Sequence, residues 1–159
     1  MQELFGGAVA RISHIGSTAV PGLLAKPIVD LWLELRPWLA GRTTVESLTG
    51  DGWLVMVASD QPFRLDLNQG HTPQGFAPPV FHLHVVRPGD HDELCFRDHL
   101  RQHAAARREY AALKRGLLPR FEHDRDGHTA AKTAFVRRMT AAAREQFPVR
   151  QAPPTAALV

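Results

Sequence analysis

The chain is short of several things. It has one cysteine, Cys95, in 159 residues. That excludes an internal disulfide and a cysteine-rich zinc site, and leaves Cys95 to read as a core thiol. It has one tyrosine and only three lysines, Lys26, Lys114 and Lys132, against sixteen arginines. No apolar run approaches the ~18–20 residues of a membrane span. No basic–apolar–small pattern of a secretory signal opens the chain, so the expected location is cytoplasmic and no membrane partner is expected. There is no internal repeat.

What is present suffices for a core. Hydrophobic residues make up 44% of the chain, and the length suits one domain. Residues 1–147 read as that domain, and 148–159, with three prolines and no apolar periodicity, as a flexible tail. The net charge of +3 hides an asymmetry. Residues 1–96 carry 6 basic and 10 acidic groups, whereas 97–159 carry 13 and 6. Arginine forks suit phosphate. The same arginines, spread along helices, also read as solvated faces. The basic half lacks the aromatic residues that stack bases, so nucleic acid is not an expected partner.

Periodicity divides the chain into strands and then helices, an α+β arrangement. Strands are predicted at 8–15, 28–35, 53–57, 63–68 and 80–86, with a short helix at 43–48. Helices are predicted from residue 90 or 91 to 103, over 104–118 and over 127–147. Alternation gives three strands an apolar face and a polar one. Ile28, Asp30, Trp32 and Glu34 oppose Val29, Leu31, Leu33 and Leu35. Arg64, Asp66 and Asn68 oppose Phe63, Leu65 and Leu67, while His82 and His84 oppose Phe81, Leu83 and Val85. The polar face is either a site or the wet outer face of an antiparallel sheet.

Two groups of residues have chemistry suited to a site. Gly16 allows close backbone approach to an anion, and Ser17 and Thr18 supply hydroxyl donors, in a turn that matches neither the Walker nor the dinucleotide glycine spacing. Asp30, thirteen residues after Ser17, could hold a divalent cation, though a solvated strand residue explains it too. His82 and His84 project to one side ~6.5–7 Å apart, a workable chelate for zinc or another transition metal together with Asp30 or Asp66. They could equally stack or hydrogen-bond. Lys114 and Lys132, rare lysines in an arginine-rich half, suit phosphate. Arg97 and Asp98 are adjacent on a helix, so they should diverge by ~100° and face different partners. An interhelical salt bridge is the alternative role for these charges.

The run His14–Asp30 (HIGSTAVPGLLAKPIVD), with FHLHVV at 81–86, FRDHLR at 96–101, YAALK at 110–114 and AKTAFV at 131–136, resembles the GrpB family. That family belongs to the nucleotidyltransferase superfamily with its polymerase-β-like fold. The resemblance spans about residues 8–144. It implies a mixed β-sheet with helices on one face and a helical C-terminal portion. It implies phosphate contacts from Gly16, Ser17, Thr18, Lys26, Arg97, Lys114 and Lys132. It also implies a divalent cation (Mg or Mn, with Zn possible) with Asp30 as its first ligand; His82, His84 and Asp66 are the further candidate ligands by alternation, and Asp30, His82 and His84 the candidate catalytic groups. The implied ligand is a nucleotide or another phosphorylated small molecule, and the implied activity, if any, is metal-dependent nucleotidyl transfer. The superfamily pattern places a second acid two residues after Asp30. Here that residue is Trp32, and Glu34 lies roughly 13 Å along the strand, too far to share one metal. This argues against two-metal transfer. GrpB-like domains also occur fused to dephospho-coenzyme A kinase, which implies a non-catalytic module assisting that enzyme. Family members carry a longer helix before the first strand than the six residues Met1–Gly6.

Overall fold

The computed structural model describes residues 1–36, 42–56, 64–72, 75–121 and 124–147. Five strands, β1 (Val9–Ile15), β2 (Ile28–Leu35), β3 (Leu54–Val55), β4 (Arg64–Thr72) and β5 (Gly75–Val86), form one mixed sheet in the order β1-β2-β5-β4-β3. Among the described strands only β2 and β5 run parallel. The helices are α1 (Gln2–Phe5), α2 (Arg42–Gly50), α3 (Asp92–Gln102), α4 (Ala104–Leu117), α5 (Arg125–Ala130) and α6 (Thr133–Gln146). The expected α+β class and mixed sheet are therefore present.

The chain divides into two compact units. The first contains Met1–Ile15 and Pro27–Asp90. Its core forms on the apolar face predicted by alternation: Leu33, Leu35, Leu67, Leu83 and Val85 pack with Leu48 of α2 and with Trp53. The second unit contains Gly16–Lys26 and the helices from His91 onward. Its core gathers Val20, Leu23, Leu100, Ala106, Tyr110, Phe135 and Met139. Tyr110 stacks on Phe135 at 5.0 Å and meets the edge of Phe96 at 5.4 Å. Cys95 is fully buried, as a core thiol should be.

Several boundaries depart from the sequence reading, among them the strand expected over 53–57, where β3 takes in Leu54–Val55 but neither Trp53 nor Met56. The strand expected to begin at Val80 starts at Gly75, although Pro78 and Pro79 lie within it. Pairing with β2 begins only at Val80, and the β4 register shifts between Gln69 and His71. The prolines thus occupy a stretch where few ladder bonds are required of them. The β4 strand runs on past Asn68 to Thr72. The single helix expected over 127–147 is two, with Ala131 and Lys132 in a turn between them. There the Lys132 amide bonds back to the Thr129 carbonyl, a tighter i→i−3 closure. Phe63, Val57 and the expected tail 148–159 lie outside the described residues.

Candidate functional sites, one in each unit

In the first unit, the sheet register sets the polar face in two rows. Asn68, His82 and Asp30 stand side by side on β4, β5 and β2, and Asp66, His84 and Trp32 form the next row. The wet-face alternative fails at one end, because Trp32 and Glu34 are fully buried. The Glu34 carboxylate accepts from Arg11 Nε at 2.6 Å and from the Gly89 amide at 3.3 Å, so it is engaged. Asp30 and Asp66 are each paired with an imidazole. His82 Nδ1 donates to Asp30 Oδ1 at 3.2 Å, and His84 Nδ1 lies 2.5 Å from Asp66 Oδ1. Arg64 Nε donates to the same Asp66 carboxylate at 2.9 Å and its guanidinium lies over Trp32. Burial raises the Asp66 pKa, but the hydrogen bonds from His84 and Arg64 outweigh it and leave the carboxyl below its usual range.

These pairings bear on the implied Mg or Mn site. Such ions take several oxygen ligands. Asp66 is held by a guanidinium and an imidazole, Glu34 by Arg11, and Trp32 stands where a second acid is required. Among the described residues, no group of three or more His, Cys, Asp or Glu is arranged to hold a metal. Asp30, Asp66, His82 and His84 therefore form two separate acid–imidazole pairs and do not fit a shared magnesium-type ion. Sequence alternation missed His71, whose Nε2 lies 3.2 Å from His82 Nε2. Strict alternation from Asn68 puts Gly70 on the His82 side and His71 on the other. The bulge at Gly70 reverses this.

The second unit gathers positive charge. Gly16, at φ 70°, lets the chain turn from β1 into a single 3₁₀ turn, Ser17–Ala19. Arg101 Nε ties that turn to α3 through the Ala19 carbonyl at 2.8 Å. Lys114 Nζ donates to Ser17 Oγ at 2.9 Å and to the Leu24 carbonyl, and it lies 4.8 Å over the Tyr110 ring. Burial and the nearby charge of Lys132 lower the Lys114 pKa to about 8. The His128 pKa is also lowered, by burial first and then by the charges of Lys132, Lys26 and Lys114, which disfavour its protonated form. Its Nε2 is buried with no hydrogen-bond partner among the described residues. His128 stands four residues before Lys132, a spacing that could have flagged it. Thr18 is half-buried in the same turn. Arg97 departs from expectation. Its Nε bonds to the adjacent Asp98 at 2.7 Å, because the long side chain folds back across the 100° divergence.

No helix among the described residues is long and apolar enough to cross a membrane. Comparison with known proteins places the chain. A UPF0157 protein of Pseudomonas aeruginosa is 37% identical over 129 residues, covering 80% of this chain and 53% of that protein. One of Streptomyces coelicolor is 33% identical over 82% of this chain and 67% of its own length. The chain thus spans about half to two thirds of these relatives. A dephospho-CoA kinase of Mycolicibacterium paratuberculosis is 27% identical over 83% of this chain and 38% of that protein. The crystal structure of the conserved protein GrpB from Enterococcus faecalis superposes with a TM-score of 0.75 at 24% identity, covering 92% of this chain and 87% of that one. This likeness shows the fold. The family model described as GrpB protein matches residues 1–142, and the chain belongs to the GrpB family.

Proposed function

We propose that the protein binds a nucleotide or another phosphorylated small molecule through its second unit, with the phosphate held by Ser17, Lys114, Lys132, Lys26 and His128. The observation that carries this reading is the Lys114 Nζ–Ser17 Oγ hydrogen bond at the glycine turn, supported by the charges of Lys132, Lys26 and Lys114 all bearing on the half-buried His128. Like charges brought together at low dielectric repel, and an anion offsets that cost. Ser17 and Lys114 already share a hydrogen bond, so a phosphate oxygen would meet a preset donor pair. The acid–imidazole pairs of the first unit do not favour a metal-dependent transfer, so the reading is of binding.

Calorimetric titration with inorganic phosphate, sulfate, ATP and dephospho-coenzyme A tests it. Lys114→Ala and Lys132→Ala should each weaken binding by roughly 1–3 kcal/mol, the range for charge-assisted hydrogen bonds. Unchanged affinity in both folded variants would place the ligand elsewhere.

A second reading rests on the match to the dephospho-CoA kinase, which this chain parallels over 83% of its own length. The protein would then serve as an accessory module to such a kinase. A kinase whose rate and stability do not change when this protein is added would remove that reading.

A further inference from the structure

We propose that His71 and His82 form a two-imidazole site in the first unit for a zinc-class transition metal ion, with Asp30 as its outer carboxylate. The inference is independent of the anion site. It also differs from a magnesium-type site, because its ligands are nitrogen.

Two imidazole nitrogens can approach to 3.2 Å in two ways. One carries a proton and donates it to the other, or both turn lone pairs toward a shared cation. Two protonated nitrogens would repel. Tetrahedral zinc with Zn–N bonds of ~2.0–2.1 Å sets its ligand nitrogens about 3.3 Å apart. The observed separation fits that edge after a small rotation of either ring.

Asp30 defines which nitrogen of His82 is available. A carboxylate only accepts, so the Nδ1 facing Asp30 carries the proton and Nε2 presents its lone pair toward His71. A ligating histidine whose other ring nitrogen is held by a carboxylate is the usual outer-shell arrangement around zinc.

Asn68 supplies a separate observation. It pairs in register with His82 across β4 and β5, and its Oδ1 is buried with no hydrogen-bond partner among the described residues. A buried acceptor without a donor is destabilising. Water bound to a metal at His82 would donate to it. The site then has two protein ligands, with the remaining positions open to water or to an exchangeable ligand.

The full chain, cleared of metal, is titrated with Zn²⁺ by calorimetry and with Co²⁺ by visible absorption. One ion should bind per chain. His71→Ala and His82→Ala should each weaken binding at least 10-fold. Asp30→Asn should weaken it about 10–100-fold, the range for outer-shell partners. His103→Ala, in the second unit, should change nothing. His71 lies near the end of β4, so His71→Gln preserves the strand if a His82 variant fails to fold. Absence of zinc binding to folded wild-type protein at millimolar concentration overturns the proposal. So does undiminished affinity in folded His71→Ala and His71→Gln.

Discussion

At the residue scale, Lys114 shows how burial couples to ligand. Its folded pKa of about 8 lies below the ordinary 10.5. Between those values the unfolded chain holds more protons than the folded one, so this group's contribution to stability rises with pH across that window. Anion binding has the opposite sign, since a bound anion favours charged Lys114. Sulfate, which does not titrate near neutrality, should bind with little change from this group below about pH 7. Its affinity should then fall as pH rises through about 8, with net proton uptake on binding. Calorimetry in buffers of different ionisation heat reads that uptake. A flat profile that persists through pH 10 would mean Lys114 does not touch the anion. Arg11 and Glu34 make the contrasting case. Glu34 is fully buried and the Arg11 side chain is 18% exposed, so each neutralises the other at low dielectric. Arg11→Met takes the guanidinium away from a buried carboxylate and should cost about 3–5 kcal/mol in urea unfolding. Arg11→Met with Glu34→Gln should recover most of that, because Gln still accepts from the Gly89 amide. A single-variant loss under ~1 kcal/mol would show that water reaches Glu34.

At the element scale, what was legible followed local rules and what was hidden depended on irregularity. The strand Ile28–Leu35 was readable to its ends because Pro27 and the following Pro37 frame a clean alternation, and its two faces separate as period 2 requires. The juxtaposition of Asp30 and His82 was legible for the same reason. His71 was not, because a bulge breaks the alternation that would locate it. Gly70 sits at the bulge with φ +87°, and a Cβ there would press on the Pro79 carbonyl oxygen and the Ala77 carbonyl. Gly70→Ala should therefore cost about 3 kcal/mol or more through strain and clash together. It should also weaken zinc binding by moving His71 away from His82. A Gly70→Ala protein with wild-type stability would mean the bulge relaxes easily and does not hold His71. The break between α5 and α6 was hidden in the same way. Ala131 and Lys132 are compatible with a continuous helix, and only the tightened closure at Thr129 separates the two segments.

At the whole-molecule scale, the charge asymmetry of the sequence corresponds to a division of chemistry. The residues before 97 supply the acids and imidazoles of the sheet, and those after it supply most of the basic groups. Ser17 and Lys26 come from the early half yet belong to the second unit, so sequence position alone did not reveal which residues meet. This separation predicts that each unit answers its own ligand. A phosphorylated ligand at 100 times its dissociation constant should stabilise the protein by about 2.7 kcal/mol, a rise of roughly 5–10 °C in Tm for a chain of this size. In hydrogen exchange, the added protection should appear in Gly16–Lys26 and in α4, α5 and α6. Zinc should instead slow exchange in β4, β5 and the part of β2 around Asp30. Local opening free energies differ across a fold, so ligand-specific protection maps the unit that binds. Anion-induced protection confined to the strands of the first unit would overturn the assignment of phosphate to Ser17 and Lys114. Zinc-induced protection confined to the end of α3 and the start of α4, where His99 and the capping His103 stack at 4.1 Å, would identify that histidine pair as the metal ligand in place of His71 and His82.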